Sequence, residues 1–281
     1  MKLRARLKCW LYGSCPGFSG AFSYFGTRVA FPKGSHIFER ACETGIYERD
    51  NLKLIAALVR PGTVYMDVGA NIGLLSIPLL HYFPTSQVVS FEPSPNALPY
   101  LLETQRQSGF GDRWRVIGKA VGSQPGQLEF FAHAPRLGAY DSLRQVGRAG
   151  DSAKHTVPVT TIDSEWEALG KPVVSVIKID VEGAEMGALQ GAAACLRAHR
   201  PSLLLEWNAE NLAAFGCAPE VLLTFARDSG YEIFSLPDLA LVDRVTVLRL
   251  KMLATENFLL VANPPSGDWN VHYGSFRGLR E

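Results

Sequence analysis

Short apolar runs alternate along this chain with longer stretches whose apolar positions recur at helical spacing. The runs are "TVYMDVGA" (63–70), "QVVSFEP" (87–93), "WRVIGKAV" (114–121), "VVSVIKID" (173–180) and "SLLLEW" (202–207). They are rich in Val, Ile and Leu with little polar alternation, the pattern of strands covered on both faces in a parallel sheet. Helical spacing is found at 51–60, 73–83 and 185–200, and at 219–230, where Pro219 and Gly230 read as start and stop signals. Pro78 and Pro99 lie within helical stretches and are expected to kink or shorten them. Residues 133–155 are rich in small and charged residues and read as a mobile loop over one edge of the sheet. Strands alternating with helices predict an α/β chain built on a doubly wound, mostly parallel sheet with helices on both faces.

In such a sheet, ligands bind at the carboxyl ends of the strands, and the turn after the first strand faces the crevice. Here that turn is Gly69-Ala70-Asn71-Ile72-Gly73. Its glycines allow a sharp turn and a close backbone approach to a ligand. The spacing is GxNxG, not the GxGxxG of dinucleotide binders, and no Lys or Arg accompanies it. Asp67 stands inside the apolar run before the turn, where an ionised carboxylate is costly unless satisfied. It either caps amides of its own turn or faces a cationic or hydroxyl-bearing ligand. Glu92 ends the second strand, roughly 20–30 residues past the glycines, the place from which an acid takes the two hydroxyls of a ribose. Taken alone, Glu92 could instead favour the dipole of the following helix. A cationic adenosine ligand without phosphate, S-adenosylmethionine, fits these residues better than a pyrophosphate does.

Composition changes this picture little. The chain has 281 residues, 47% of them hydrophobic and 20% charged, which fits one large domain, or a domain plus an N-terminal extension. A net charge of +1 provides no field to gather nucleic acid, so no nucleic-acid partner is expected. Cys9, Cys15, Cys42, Cys195 and Cys217 are scattered without a CxxC, which suggests neither a zinc knuckle nor a disulfide framework and points to a reducing, cytoplasmic setting. His36, His81, His133, His155, His199 and His272 form no metal spacing, and no required metal is expected, although Asp180, Glu182 and Glu206 could hold Mg²⁺. No run of about 18 apolar residues predicts a membrane span. The basic N-terminus lacks the apolar core of a secretory signal. Leu3, Leu7, Trp10 and Leu11 fall at helical spacing there. They read as a docked helix or a frayed end, with a helix lying on a membrane surface as the alternative.

"MDVGANIG", "FEPSP" and above all "IKIDVEGAEMGALQGA" resemble the FkbM family of S-adenosylmethionine-dependent methyltransferases. "GIYE" (45–48), "VTTIDS" (159–164) and "LLLEWN" (203–208) match weaker blocks of that family in the same order. The resemblance implies a class I methyltransferase fold, with a Rossmann-like seven-stranded sheet whose last strand, "NFLLVAN" (257–263), runs antiparallel. It implies a methyltransferase domain over 41–265, preceded by an arm at 1–40 and followed by a tail at 266–281. Within the arm, "FGTRVAFP" is expected to form a short hairpin that helps cover the site. The implied activity is O-methylation of a sugar, glycan or other metabolite. Glu48 enters as a cofactor contact through the resemblance alone, beside Asp67, Gly69, Ala70, Asn71, Gly73, Glu92 and Asp180.

In "VIKIDVEGAE", an extended strand sends Lys178, Asp180 and Glu182 to one side. Asp180 then lies beside the methyl group, Glu182 follows towards the acceptor, and Lys178 pairs with an acid. Glu185 falls in the first turn of the next helix, where it suits the dipole. Methyl transfer to an alcohol needs in-line alignment and a base on the acceptor side. Asp180, Glu182 and Glu206 are the candidates, with Lys178 in support. Two other classes stay open at this level: a nicotinamide-dependent oxidoreductase, and a catalytically silent binding module on the same fold.

Overall fold

The computed structural model describes residues 20–32, 35–133 and 152–262, together with Leu7 and Leu143. Within them the apolar runs pair as expected. Strands β3 (Val64–Val68), β4 (Gln87–Phe91), β5 (Trp114–Ile117), β9 (Val174–Ile179) and β10 (Ser202–Glu206) are parallel neighbours in the order β10-β9-β3-β4-β5. Every residue of β3 and β9 is buried, which is why these strands read as continuous apolar runs. Strand β13 (Asn257–Ala262) is inserted antiparallel between β10 and β11 (Tyr231–Ser235). A two-residue strand, β12 (Ala240–Leu241), adds an edge to the expected seven strands and makes eight.

Helices α2 (Arg49–Leu58), α3 (Ser76–Tyr82) and α4 (Leu98–Gln107) belong to one face of this sheet. Helices α6 (Glu185–Gln190), α7 (Ala193–His199) and α9 (Val221–Ser229) cover the other, with two large apolar clusters between the layers. Helix α5 (Ile162–Ala168) precedes β9, α8 (Ala209–Ala214) follows β10, and α10 (Val245–Met252) precedes β13.

Several local expectations need correction. The stretch 185–200 is two helices, because Gly191 sits under the Gly122 carbonyl, where a Cβ would come within 2.1 Å of the oxygen. The run 114–121 also divides. Its second half, β6 (Ala120–Val121), leaves the main sheet to pair with β8 (Ser152–Thr160). Pro78 and Pro99 each lie in the first turn of a helix, where a missing N–H leaves no bond unmade, and the helix expected over 73–83 is shortened to Ser76–Tyr82. The segment read as a loop over 133–155 is bounded by strands. β7 (Gly126–His133) pairs antiparallel with β8, so that only 134–151 separates them, and apart from Leu143 that stretch lies outside the described residues.

A hairpin does stand in the N-terminal arm, as β1 (Ala21–Tyr24) and β2 (Thr27–Ala30). It packs on α4, where Ala30 N donates to Thr104 Oγ1 at 3.0 Å, and on α3, where Thr27 Oγ1 and His81 Nε2 lie 3.0 Å apart. Among the described residues the hairpin does not line the ligand cavity. The cover expected of it comes from the next element, α1 (His36–Thr44), which contributes His36, Ile37 and Arg40 to the wall. The expected basic N-terminal helix and the C-terminal tail lie outside the described residues, Leu7 excepted. No helix among those described is long and apolar enough to cross a membrane.

Candidate active site

A cavity of about 580 Å³ opens at the carboxyl ends of β3, β4, β9 and β10. All the sequence-derived candidates except Gly73 line it, and Gly73 ends the turn that forms one of its walls. The glycine turn is built by backbone need. Gly69 has φ +84°, and a Cβ on it would lie 1.8 Å from the Asp180 carbonyl oxygen. Gly69 N and Ala70 N both donate to Phe91 O at 3.0 Å, and Asp180 N donates to Val68 O at 3.0 Å. These bonds tie the ends of the first, second and fourth of the expected strands into one rim. Asn71 takes a left-handed conformation at the tip, with φ 50°.

Glu92 closes that rim from β4. Its Oε2 accepts from Asn71 N at 2.7 Å and its Oε1 from Ser94 N at 2.8 Å. The carboxylate therefore orders the glycine turn as well as facing the cavity, a second task that its strand-end position did not reveal. Asp67 does not cap its own turn. Its Oδ2 accepts from Ser76 Oγ at 2.6 Å, while its buried Oδ1 has no hydrogen-bond partner. Burial pushes the Asp67 pKa up, and the neighbouring Lys178 opposes it. Lys178 is the cross-strand partner of Asp67 in the β3–β9 register.

Lys178 is 5% exposed and donates through Nζ to Asp180 Oδ2 at 2.8 Å. Burial alone would favour its neutral form, but Asp180, Glu48 and Asp67 around it prevail and lift its pKa well above the ordinary lysine value. One buried cation thus serves acids from three chain segments. Glu48 comes from a left-handed residue ahead of α2 and is held by Asn51 Nδ2 at 3.0 Å. Tyr47 beside it was missed in the sequence. Burial first, then the charges of Glu48 and Asp180, raise its phenol pKa well above normal. The aromatic in "GIYE" was the available signal.

Asp180, Glu182 and Glu206 converge. One carboxylate oxygen from each lies within 4.8 Å of the others, a set of hard ligands that a divalent cation could use. Asp180 and Glu206 behave as a pair. Burial would raise both, but Lys178 and a hydrogen bond from Glu206 hold Asp180 below the ordinary carboxylate range. The Glu206 carboxyl is pushed well above the ordinary range, first by burial and then by the charge of Asp180. Glu182, at φ 54°, is held by Asn211 Nδ2 at 2.6 Å. Asn211 was not anticipated. It sits at the start of α8, whose amides Asn208 caps through Oδ1, at 2.8 Å from Glu210 N and 3.2 Å from Asn211 N.

Glu185 turns away from this chemistry. Its Oε1 accepts from Val181 N at 3.2 Å and Gly183 N at 3.0 Å, fixing the turn after β9, and its buried Oε2 has no partner. Burial raises its pKa to about 7 against those amide bonds. Between pH 4.5 and 7 the folded chain therefore keeps a proton that the unfolded chain has lost, and this contribution to stability falls as pH rises through that window. Glu185→Gln is expected to remove about 3 kcal/mol of that pH-dependent loss. Urea unfolding of both proteins from pH 4.5 to 8 tests it, and parallel stability curves would defeat the assignment.

Of the histidines, His36 lines the cavity and His81 is packed under the hairpin. His199 stands edge-on to Trp166 at 5.4 Å, away from the acids. His155 lies opposite Phe130 in the β7–β8 pair.

Residues 67–233, more than half of the chain, match the family model described as the methyltransferase FkbM domain. The chain belongs to the FkbM methyltransferase family. The strand order, with β13 antiparallel between β10 and β11, is that of the class I methyltransferase fold implied by this family. Among curated proteins, methyltransferase sdnD of Sordaria araneosa is 26% identical over 45% of this chain and 59% of its own length. AMB antimetabolite synthetase AmbE of Pseudomonas aeruginosa is 23% identical over 74% of this chain, which spans only 11% of AmbE. The crystal structure of a methyltransferase FkbM from Methylobacillus flagellatus KT is 20% identical, with a TM-score of 0.46 over 78% of this chain and 47% of that one.

Proposed function

We propose that the protein is an O-methyltransferase acting on a hydroxyl of a sugar, glycan or other small metabolite, with Asp180 as the base. The observation that carries this reading is the junction of Asp180, Glu206 and Lys178 in the same cavity as the glycine turn. The cofactor is S-adenosylmethionine, whose sulfonium supplies an electrophilic methyl group. The residues suit it. Glycine at 69 lets the turn pack directly on the Asp180 carbonyl, which brings the turn and the β9 acids to one rim, the Asp67 carboxylate stands in the cavity wall, and no cation stands on the glycine turn to favour a pyrophosphate. In this reading Glu92 takes the ribose hydroxyls, and Asp67, the 69–73 turn and Glu48 complete the pocket.

The acceptor's oxygen must be aligned and relieved of its proton. Asp180, kept ionised by Lys178, is the carboxylate able to receive that proton, while Glu182 and Glu206 orient the hydroxyl. The proposal involves no metal and no nucleic acid, and loss of turnover on treatment with EDTA would overturn the first of these. It places the activity in residues 41–265, with α1 completing the wall. Free Cys42, Cys195 and Cys217 suit a reducing cytoplasm. Membership of a methyltransferase family and the absence of a basic phosphate partner on the glycine turn weigh against a nicotinamide-dependent enzyme.

The deciding experiment incubates the protein with methyl-labelled S-adenosylmethionine and fractionated host extract, then identifies the labelled product. A label on nitrogen or carbon would overturn the reading, as would no transfer by a chain that binds the cofactor. Glu92→Ala is expected to weaken cofactor binding by roughly 10- to 100-fold, since hydrogen bonds to charged groups contribute about 1.5–3 kcal/mol. Glu92→Gln, which keeps an acceptor for one amide, separates ribose binding from support of the turn. Calorimetric affinities equal to wild type in folded variants would remove Glu92 from the site.

A further inference from the structure

A second cleft, of about 710 Å³, lies next to the cavity and shares the wall Glu48-Arg49-Asp50 with it. It runs between α2 and residues 236–239 and passes the start of β13. Asn257, on its floor, is the cross-strand partner of Glu206, so the cleft begins beside the acid cluster. Its polar lining includes Asn51, Lys53 and Thr255, and Leu236, Pro237 and Leu239 form an apolar side. Asn51 Nδ2 donates both to Glu48 Oε2 at 3.0 Å and to Asn257 Oδ1 at 3.1 Å. Among the described residues, Asn51 Oδ1 and Asn257 Nδ2 have no partner, which leaves an acceptor and a donor on adjacent amides.

We propose that this cleft binds the non-reacting part of an extended, neutral, polyhydroxylated acceptor, a glycoside of two or more sugar units. The inference rests on the O-methylation reading and deepens it. A cavity of about 580 Å³ falls within the roughly 300–1,000 Å³ that holds one drug-sized ligand, so cofactor and reacting hydroxyl leave little room there for a long acceptor. A sugar hydroxyl both donates and accepts, and can bridge the paired amides of Asn51 and Asn257. The C–H face of a sugar ring suits the side formed by Leu236, Pro237 and Leu239. The charged residues of the lining (Glu48, Asp50 and Asp238 against Arg49 and Lys53) nearly balance, which disfavours a strongly charged ligand.

The test titrates the whole chain, loaded with S-adenosylhomocysteine, with a panel of neutral mono-, di- and trisaccharides while backbone amide NMR shifts are followed. We expect shifts at residues 49–53, at Leu236, Asp238 and Leu239, and at 255–257, and affinities for the best trisaccharide at least tenfold above those for its monosaccharides. Lys53 is exposed on α2, so Lys53→Trp should fill the cleft without disturbing the fold. It should erase the trisaccharide advantage and leave S-adenosylhomocysteine affinity unchanged. No shift at these amides with any sugar, or an advantage that survives Lys53→Trp, overturns the proposal. Binding at the cleft with no methyl transfer to any bound sugar would support the cleft and defeat the acceptor reading instead.

Discussion

Asp180→Asn is expected to lower kcat for methyl transfer by about 10²–10⁴-fold, the usual range for losing a general base. Cofactor affinity should change far less, because the substitution keeps the shape of the side chain and the backbone bonds that position it. Glu182→Gln is the comparison. Its carboxylate is held by Asn211, and its loss should cost orientation and not proton transfer. The acid pair adds a pH signature. While Glu206 holds a proton it is expected to donate to Asp180 and to compete with the acceptor for that carboxylate. As pH rises Glu206 loses its proton and Asp180 is released, so kcat should climb through a range above that of ordinary carboxylates. Glu206→Gln leaves a permanent donor on Asp180, and its profile should stay low and flat. Turnover near wild type in both Asp180→Asn and Glu182→Gln, at matched stability, would move the base to Glu206.

Lys178→Met should destabilise the fold by about 3–5 kcal/mol, the range for removing one partner of a buried ion pair. Lys178 is one cation facing Asp67, Asp180 and Glu48, and Asp67 is only 1% exposed. Without the lysine these acids must take up protons or remain charged in a poorly hydrated place. Lys178→Met combined with Asp67→Asn should recover part of the loss, because replacing both partners costs less than orphaning one. Urea unfolding of the two single variants and the double variant closes the cycle. A loss below about 1 kcal/mol for Lys178→Met, a value typical of exposed pairs, would contradict the buried network.

What could be read in the sequence follows from how each element is covered. The parallel strands are buried on both faces and announce themselves as apolar runs, so β3, β4, β9 and β10 and their strand-end acids were legible. Strands β7 and β8 are exposed over much of their length, with Leu128 48% exposed and Pro158 inside β8; β7 was not read as a strand, and the start of β8 was taken into the loop read over 133–155. The break at Gly191 was hidden because helical spacing continues across it, while its cause, the Gly122 carbonyl, is distant in sequence. The site shows the same division. Acids at strand ends were found by position, whereas Ser76 and Asn211 reach the site through contacts that no local pattern carries. The backbone duty of Glu92 was hidden for the same reason.

The three-stranded sheet of β6, β7 and β8 stands between β5 and β9 in the chain, yet it carries none of the acids. It gives the cavity Ala120, Val121 and Phe130, and Leu143 packs on it from the β7–β8 connection. The acids thus reside in one sheet and part of the wall in another, and the second sheet packs through the tight Gly122–Gly191 contact on the helices that cover the first. A fold divided in this way is modular: exchange of the β7–β8 hairpin is expected to change the wall at Phe130 while the acids on the main sheet keep their geometry.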